Sequence, residues 1–360
     1  AAEWADDDPP AAMTKPPANP APLRPDSLRV GLTYDLRKDW LAMGYGEEET
    51  AEFDSEATPD GLERVLSGLG FHVERIGHIR NLTRALADGK SWDFVFNICE
   101  GMHGLGREAQ VPGLLDAYNI PYVFSDPLTL CITLDKGIAK TIVRERGVPT
   151  ADFAVLRDAV EARNVPLPFP LFVKPVAEGS GKGVSARSRV TNHAELEAEA
   201  ARLIAKFHQP VLVETFLSGR EFTVGIVGEG ANACALGVME VHFGEKAAAF
   251  GYGYENKQDW EGKISYTIAD DGEARVAADV ALKAWAALRC RDGGRIDIRS
   301  DHLGQPHFIE VNPLAGLHPD YSDLVFLARD IGMTYPELIT RIVKAFLARH
   351  PALQARAGLS

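Results

Sequence analysis

The stretch "RIDIRSDHLGQPHFIEVN", residues 295–312, holds two segments of alternating apolar and polar residues around a Gly-containing connector. Period-two alternation puts Arg295, Asp297 and Arg299 on one face of the first segment, and Phe308, Glu310 and Asn312 on one face of the second. A hairpin centred between Leu303 and Gly304 sets Asp297 opposite Glu310 and Arg295 opposite Asn312. Facing carboxylates repel each other and resist joint ionisation unless a cation lies between them. Mg²⁺ suits such oxygen donors and is usually shared with nucleotide phosphates, and Asn312 adds an amide oxygen. The plainer alternative is a solvated charged hairpin in which Arg295 and Arg299 pair with the acids.

Working outward, "PLAGLHPDYSDL" (313–324) is a turn carrying Asp320, Ser322 and Asp323, residues suited to reading a substrate. Upstream, "PVLVETFLSGREF" (210–222) brackets an apolar segment with Glu214 and Glu221. A nucleotide base fits against Phe216 and Leu217, with the carboxylates taking ribose or amino hydrogens; ordinary surface glutamates are the alternative. "FVKPVAEGSGKGV" (172–184) sets Lys174 on a strand before Gly179, Gly181 and Gly183. Closely spaced glycines let backbone N–H groups form a nest for phosphate oxygens, and Lys174 and Lys182 add charge. The order is not that of a Walker A loop, and a hairpin tip with solvated lysines is the other reading.

Farther toward the start, "LRVGLTYD" (28–35) and "DGLERVLSGLGFHVERI" (60–76) read as strand, helix and strand. "WDFVFNICEG", "AQVPGLLDAYN" and "IPYVFSD" continue as strand, helix and strand, predicting an α/β domain with a parallel sheet and ligands at its carboxyl edge. Beyond 131 the strands come in pairs, "PLFVKP" with "GVSARS" and "PVLVETFL" with "EFTVGIVG" and "ALGVMEV", the mark of antiparallel α+β subdomains. The amphipathic "TYPELITRIVKAFLARH" (334–350) is expected to pack on this second half.

The charge balance is −13, which disfavours nonspecific attraction to nucleic acid or an anionic membrane. No apolar run is long enough to cross a bilayer. The four cysteines, Cys99, Cys131, Cys234 and Cys290, form no CxxC pair, so neither a disulfide framework nor a zinc ribbon is suggested and a cytoplasmic setting is expected. Residues 1–26, rich in Pro and Ala with "DDD", read as a disordered tail. No HExxH or local nucleophilic triad appears, although His103, His242 and His318 are candidate pocket residues.

Taken in order, "TLDKGIAK", "PLFVKPVAEGSGKGV", "VLVETFLSGREFTVGIVG", "YGYENKQ", "RIDI" and "FIEVNPLAGL" resemble the D-alanine–D-alanine ligase branch of the ATP-grasp superfamily over about residues 28–345. The resemblance implies an ATP-grasp fold: an N-terminal parallel-sheet domain (27–131), then a central (132–210) and a C-terminal (211–360) α+β subdomain clamping ATP. It implies that Lys136 and Lys174, with Glu178 and Gly181 of the glycine-rich loop, hold nucleotide phosphates, and that Lys257 closes over the γ-phosphate. By the same likeness Glu214, Phe216, Leu217 and Glu221 contact adenine and ribose. Asp297, Glu310 and Asn312 ligate one or two Mg²⁺ ions, with Mn²⁺ as a substitute. Arg295 and the Gly316 N–H face the reacting carbonyl, and Ser180 belongs to the loop closure. The implied activity is ADP-forming ligation of a small carboxylate to an amine, commonly by a homodimer. Alternatives are the same mechanism on a different pair, or an ATP-binding protein without catalysis.

The sequence departs from the family at the substrate. Glu100 in "NICEGMHG" stands where the family has a His, and Gln258 follows Lys257 where it has a Tyr. Ser322 matches the family's carboxylate-holding Ser only with a one-residue offset, and Asp320 and Asp323 beside it attract an amine rather than an anion.

Overall fold

The computed structural model describes residues 27–179, 181–243 and 264–359; the 1–26 tail, Ser180, Lys257 and Gln258 lie outside the described residues. Strands β1 (Arg29–Thr33), β2 (His72–Gly77) and β3 (Phe94–Asn97) form a parallel sheet in the order β2-β1-β3. The fully buried runs of β1 and β3 explain the layering, because apolar residues on both faces need cover on both faces. The helix Ala57–Gly68 supplies part of that cover through Leu62, Val65 and Leu66. "IPYVFSD" was expected to be a further strand but makes only an isolated bridge, Val95 to Tyr122. The positive φ of Phe124 (80°) ends the extended run there.

The second sheet, β4 (Phe153–Leu156), β5 (Leu171–Pro175), β6 (Arg189–Val190) and β7 (Val211–Thr215), is antiparallel in the order β4-β7-β5-β6. The third, β8 (Glu221–Val227), β9 (Cys234–Phe243), β10 (Ile264–Ile268), β11 (Gly293–Ser300) and β12 (Pro306–Asn312), is antiparallel in the order β10-β9-β8-β11-β12. Two expected pairings therefore change. "GVSARS" is a turn with a short 3₁₀ segment, and β5 pairs instead with β6 and β7. "PVLVETFL" and "EFTVGIVG" do not pair with each other but fall in different sheets. Their linker is pinned where Gly219 N–H donates to the Ser300 carbonyl (2.9 Å), an approach that a Cβ at 219 would block.

The helix Gly272–Ala287 packs on the third sheet, with Trp285 fully buried and its indole donating to the Gly228 carbonyl (3.0 Å). The final long helix, Tyr335–Ala348, was expected on the second half, and it reaches the first sheet as well. It packs between the first and third sheets: Phe346 lies against Phe94 with tilted rings (4.9 Å) while Ile342 abuts Gly293 of β11. Arg349 then ties the same two regions together through Asp292 and the carbonyls of Tyr122 and Phe124. A wide apolar stripe, Leu338, Ile339, Ile342, Val343 and Phe346, allows one helix to serve both surfaces.

Candidate active site

The β11–β12 hairpin pairs Asp297 with Glu310 and Arg295 with Asn312, the register read from the sequence. The route to it differs. Near the turn Ser300 pairs with Pro306, and the register then shifts beside Ile298. That shift is a bulge, with two residues of β12 against one of β11. Phe308 consequently turns into the core, fully buried, and does not share a face with Glu310 and Asn312 as the alternation had implied. The bulge re-aims the strand so that Ile309, Glu310 and Asn312 line one cavity.

That cavity, about 120 Å³, lies between the second and third sheets. Its floor is Glu214, whose carboxylate is gripped by Lys140 Nζ (2.8 Å) and Lys174 Nζ (3.0 Å). Burial opposes the Glu214 charge, but the two lysines outweigh it and hold the carboxyl at about 2. Burial likewise opposes the Lys174 ammonium and is outweighed by Glu214 and Glu310, so Lys174 is pushed up; for Lys140 burial wins and its pKa falls. These shifts point in different directions, yet each carboxylate oxygen has its own ammonium, which supports ionised partners at neutral pH. Lys140 also donates to Thr150 Oγ1 (2.8 Å). Phe216, Leu217 and Gly181 line this cavity as well. Glu221 lies against Arg299 Nη1 (3.0 Å), and burial raises its carboxyl to about 7 against that pull, with Asp297 adding to the rise.

A second cavity, about 500 Å³, opens toward the first sheet. Lys136, Glu178, Arg295, Glu310, Asn312 and Asp323 line both, so the two chambers meet at these residues. Lys136 Nζ donates to the Glu178 carbonyl (2.6 Å) and lies 3.5 Å from Glu310. The outer wall of the second cavity includes Glu52, Asp54, Glu100, Arg107 and Glu108. Arg107 reaches the Ala177 carbonyl (3.0 Å) and Glu52 (3.2 Å); Lys182 lies 3.5 Å from Glu52 and 3.1 Å from Glu178. The first domain thus clasps the glycine-rich loop. Burial opposes the Glu52 charge, but Arg107 and Lys182 outweigh it and push its carboxyl below the usual range.

The residues expected to ligate a metal, Asp297, Glu310 and Asn312, are two carboxylates and an amide, and no group of three His, Cys, Asp or Glu suited to a metal exists among the described residues. Asp297 accepts from Arg295 Nη1 (2.7 and 2.8 Å), Thr223 Oγ1 (2.9 Å) and Asn312 Nδ2 (3.2 Å). Burial raises the Asp297 carboxyl despite Arg295, and Glu310 and Asp323 add to that rise. Hard oxygen donors with an excess of negative charge fit a hard divalent cation that completes its shell with phosphate and water, not one caged by protein alone. Asp323 completes the junction, 3.5 Å from Arg295 Nη1 and within 3.5 Å of the Tyr266 hydroxyl.

Residues 142–344 match the family model described as the D-ala D-ala ligase C-terminus. A D-alanine–D-alanine ligase from Bordetella pertussis is 36% identical over 343 residues, covering 91% of this chain and 98% of that protein. The chain belongs to the D-alanine–D-alanine ligase family. Its fold is the ATP-grasp fold of that family. The D-alanine–D-alanine ligase from Bacillus anthracis, solved in complex with ATP, superposes with a TM-score of 0.67 at 22% identity over 91% of this chain and 99% of its own. The VanG D-Ala:D-Ser ligase from Enterococcus faecalis gives 0.67 at 18% identity, over 89% and 99%.

Of the residues expected at a ligase site, Lys136, Lys174, Glu178, Gly181, Glu214, Phe216, Leu217, Glu221, Arg295, Asp297, Glu310 and Asn312 all line the smaller cavity. Glu100, Gly316, Ser322 and Asp323 line the larger one. Asp320 is exposed and lines neither; its N–H donates to His318 Nδ1 (3.2 Å). That bond makes Nδ1 the unprotonated nitrogen of His318, so Nε2 carries the hydrogen directed at Ser55 Oγ (3.1 Å). Of the three candidate histidines, His318 lines the larger cavity. His103 meets the Tyr45 hydroxyl, and His242 meets Thr267. Sequence reading passed over Lys140, Glu52, Arg107 and Glu108. Lys140 was visible as the second lysine of "LDKGIAK", one helical turn after Lys136, and Glu108 as an acid in the loop after a parallel strand. Glu52 sits in an acidic run that carries no motif.

Proposed function

We propose that this ligase joins the carboxylate of one amino acid to the amine of a second, converting ATP to ADP and phosphate, with D-alanine the default substrate and Mg²⁺ the metal. ATP dependence belongs to the family; the choice of substrates is carried over from the relatives' names. The observation that carries the reading is the junction itself. Lys136, Arg295, Glu310 and Asn312 stand between a chamber with an apolar wall and buried lysines and a larger one open to small molecules.

A substrate carboxylate oxygen attacks the γ-phosphorus, forming a P–O bond as the bridging P–O bond to ADP breaks. The amine then attacks the acylphosphate carbon: a C–N bond forms, the C–O bond to phosphate breaks, phosphate departs and the former amine loses its extra proton. Lys136 and Lys174 orient and neutralise phosphoryl oxygens, while Arg295 and the Gly316 N–H face the carbonyl oxygen that becomes an oxyanion. Asp297, Glu310 and Asn312 would hold the magnesium, one ion or two with manganese as a substitute, which supplies charge neutralisation when bound. Phe216 and Leu217 seat the base, with Glu214 and Glu221 near the sugar and amino edges. Ser180 and Lys257 belong to segments assigned to excluding water from the acylphosphate. The chain acts in the cytoplasm on small molecules, as a homodimer; no helix among the described residues is long and apolar enough to cross a membrane.

An ADP-release assay over D- and L-amino acids, offered singly and in pairs, tests this reading. ADP formation dependent on both a carboxylate and an amine is expected. Measurable ATP binding with no ADP from any pair would leave an ATP-binding protein without ligation.

A further inference from the structure

The wall of the larger cavity holds an imbalance that the ligation mechanism does not use. Glu108 is 9% exposed, lines this cavity, and receives no hydrogen bond or ion pair from any described residue. Glu100, half-buried on the same wall, also has none. Every cation nearby is committed elsewhere. Arg107 is spent on Glu52 and the Ala177 carbonyl, Lys182 on Glu52 and Glu178, Lys136 on the Glu178 carbonyl and Glu310, and Arg37 on Glu47.

A buried carboxyl without a partner is costly, and its ordinary fate is to hold a proton. Burial pushes Glu108 up to about 7, with Arg107 working against that and Glu52 adding to it. Burial, then Glu108 and Glu52, push Glu100 well above the usual carboxylate range. Protein cations do not correct this, and no group of three His, Cys, Asp or Glu that could hold a metal occurs among the described residues. A bound substrate is the remaining source of charge. The cavity, about 500 Å³, falls in the range of sites that enclose ligands larger than a single small amino acid. Leu134 and Thr133 beside the acids offer apolar surface and a hydroxyl along which a methylene stem can lie.

We propose that the substrate seated against this wall is a carboxylic acid bearing a side-chain cation, a diamino or guanidino acid, and that Glu100 and Glu108 bind that cation. The inference rests on the ligase reading and replaces alanine by a cationic acid at one of its two positions. A substrate carboxylate turned toward this wall gains no countercharge from Glu100 and Glu108, whereas an ammonium favours their ionised forms, so both carboxyls release their protons to solvent and pair with it.

Lysine, ornithine, arginine and alanine, each as both enantiomers, are compared in the ADP-release assay. A cationic acid should exceed alanine in kcat/KM by about tenfold or more, the scale of a hydrogen bond to a charged group. Glu108→Gln and Glu100→Gln should erase that preference through KM for the cationic substrate, and neither should shift KM for ATP comparably. Calorimetric titration of the unmodified protein with ornithine and with alanine, in buffers of different ionisation enthalpy, gives a readout independent of turnover. Tighter ornithine binding with net proton release is expected. Should no pair release ADP, ligation fails while this binding comparison still stands. Equal affinity for ornithine and alanine, binding without proton release, or kcat/KM for alanine matching that of the cationic acids would each overturn the proposal, with no variant needed.

Discussion

In the smaller chamber each of these acids stands against a base: Glu214 against Lys140 and Lys174, Glu221 against Arg299, Asp297 against Arg295, Glu310 against Lys136. In the larger chamber Glu52 is balanced by Arg107 and Lys182, while Glu100 and Glu108 have no such partner among the described residues. Under the proposed function, the difference separates groups that position the nucleotide from groups that wait for one particular substrate. A balanced chamber is rigid before anything binds. An unbalanced one stores a cost that only the right occupant removes.

The comparison breaks most sharply at the junction. Glu310→Ala should lower kcat by about 10²–10³-fold, the scale seen when one preorganised electrostatic group is removed, while the far-ultraviolet circular dichroism stays unchanged. Its side chain is 29% exposed and contributes little to packing, so loss of turnover with an intact fold is the expected pair of results. Retained turnover would mean that the hairpin does not serve the reaction.

The balanced floor should respond in stability. Glu214→Gln leaves two buried ammonium groups without a full countercharge and should cost about 3–5 kcal/mol in urea unfolding. Its pH signature has a definite sign. A carboxyl held at about 2 in the folded state contributes stability above its unfolded value near 4.5, lost as pH falls toward 2. Acid unfolding of the variant should therefore be shallower across that window. Glu108 gives the opposite sign. Its carboxyl, raised from 4.5 to about 7, favours folding at low pH and loses that advantage as pH rises through 7. Glu108→Gln should thus be the more stable protein at pH 8, by on the order of 2 kcal/mol, with the difference fading near pH 5. A variant less stable than the parent at pH 8 would show that the carboxylate is paired after all.

The contrast also explains what was legible in the sequence. Arg295, Asp297, Glu310 and Asn312 follow from strand periodicity and a short connector, because a hairpin is local and its pairing is nearly fixed by its turn. Even there the bulge was invisible: an extra residue in β12 leaves the pattern of letters plausible while it turns Phe308 into the core. β7 and β8 reveal the same limit at larger scale, since nothing between Thr215 and Glu221 announces that the chain changes sheets. Glu52 and Arg107 meet across 55 residues, and Arg349 reaches Asp292 and Tyr122 from the far end of the chain. Such contacts depend on how domains pack, which no window of sequence contains.

The smallest expected effect separates two acids that the sequence treated alike. Asp320 and Asp323 stand three apart in one turn, and both were read as substrate-facing. Asp323 lines both chambers and lies 3.5 Å from Arg295, so it tempers the positive charge of that guanidinium. Asp323→Asn should raise the attraction of that spot for a substrate carboxylate and change KM for the amine substrate several-fold, within the range of about 1 kcal/mol for a weakened ion pair. Asp320 is exposed, and its hydrogen bond to His318 comes from its backbone N–H, which the substitution keeps. Asp320→Asn should leave KM for both substrates within about twofold, as for most surface changes. Equal shifts in KM from the two variants would show that charge acts across the whole turn and not through the contact with Arg295.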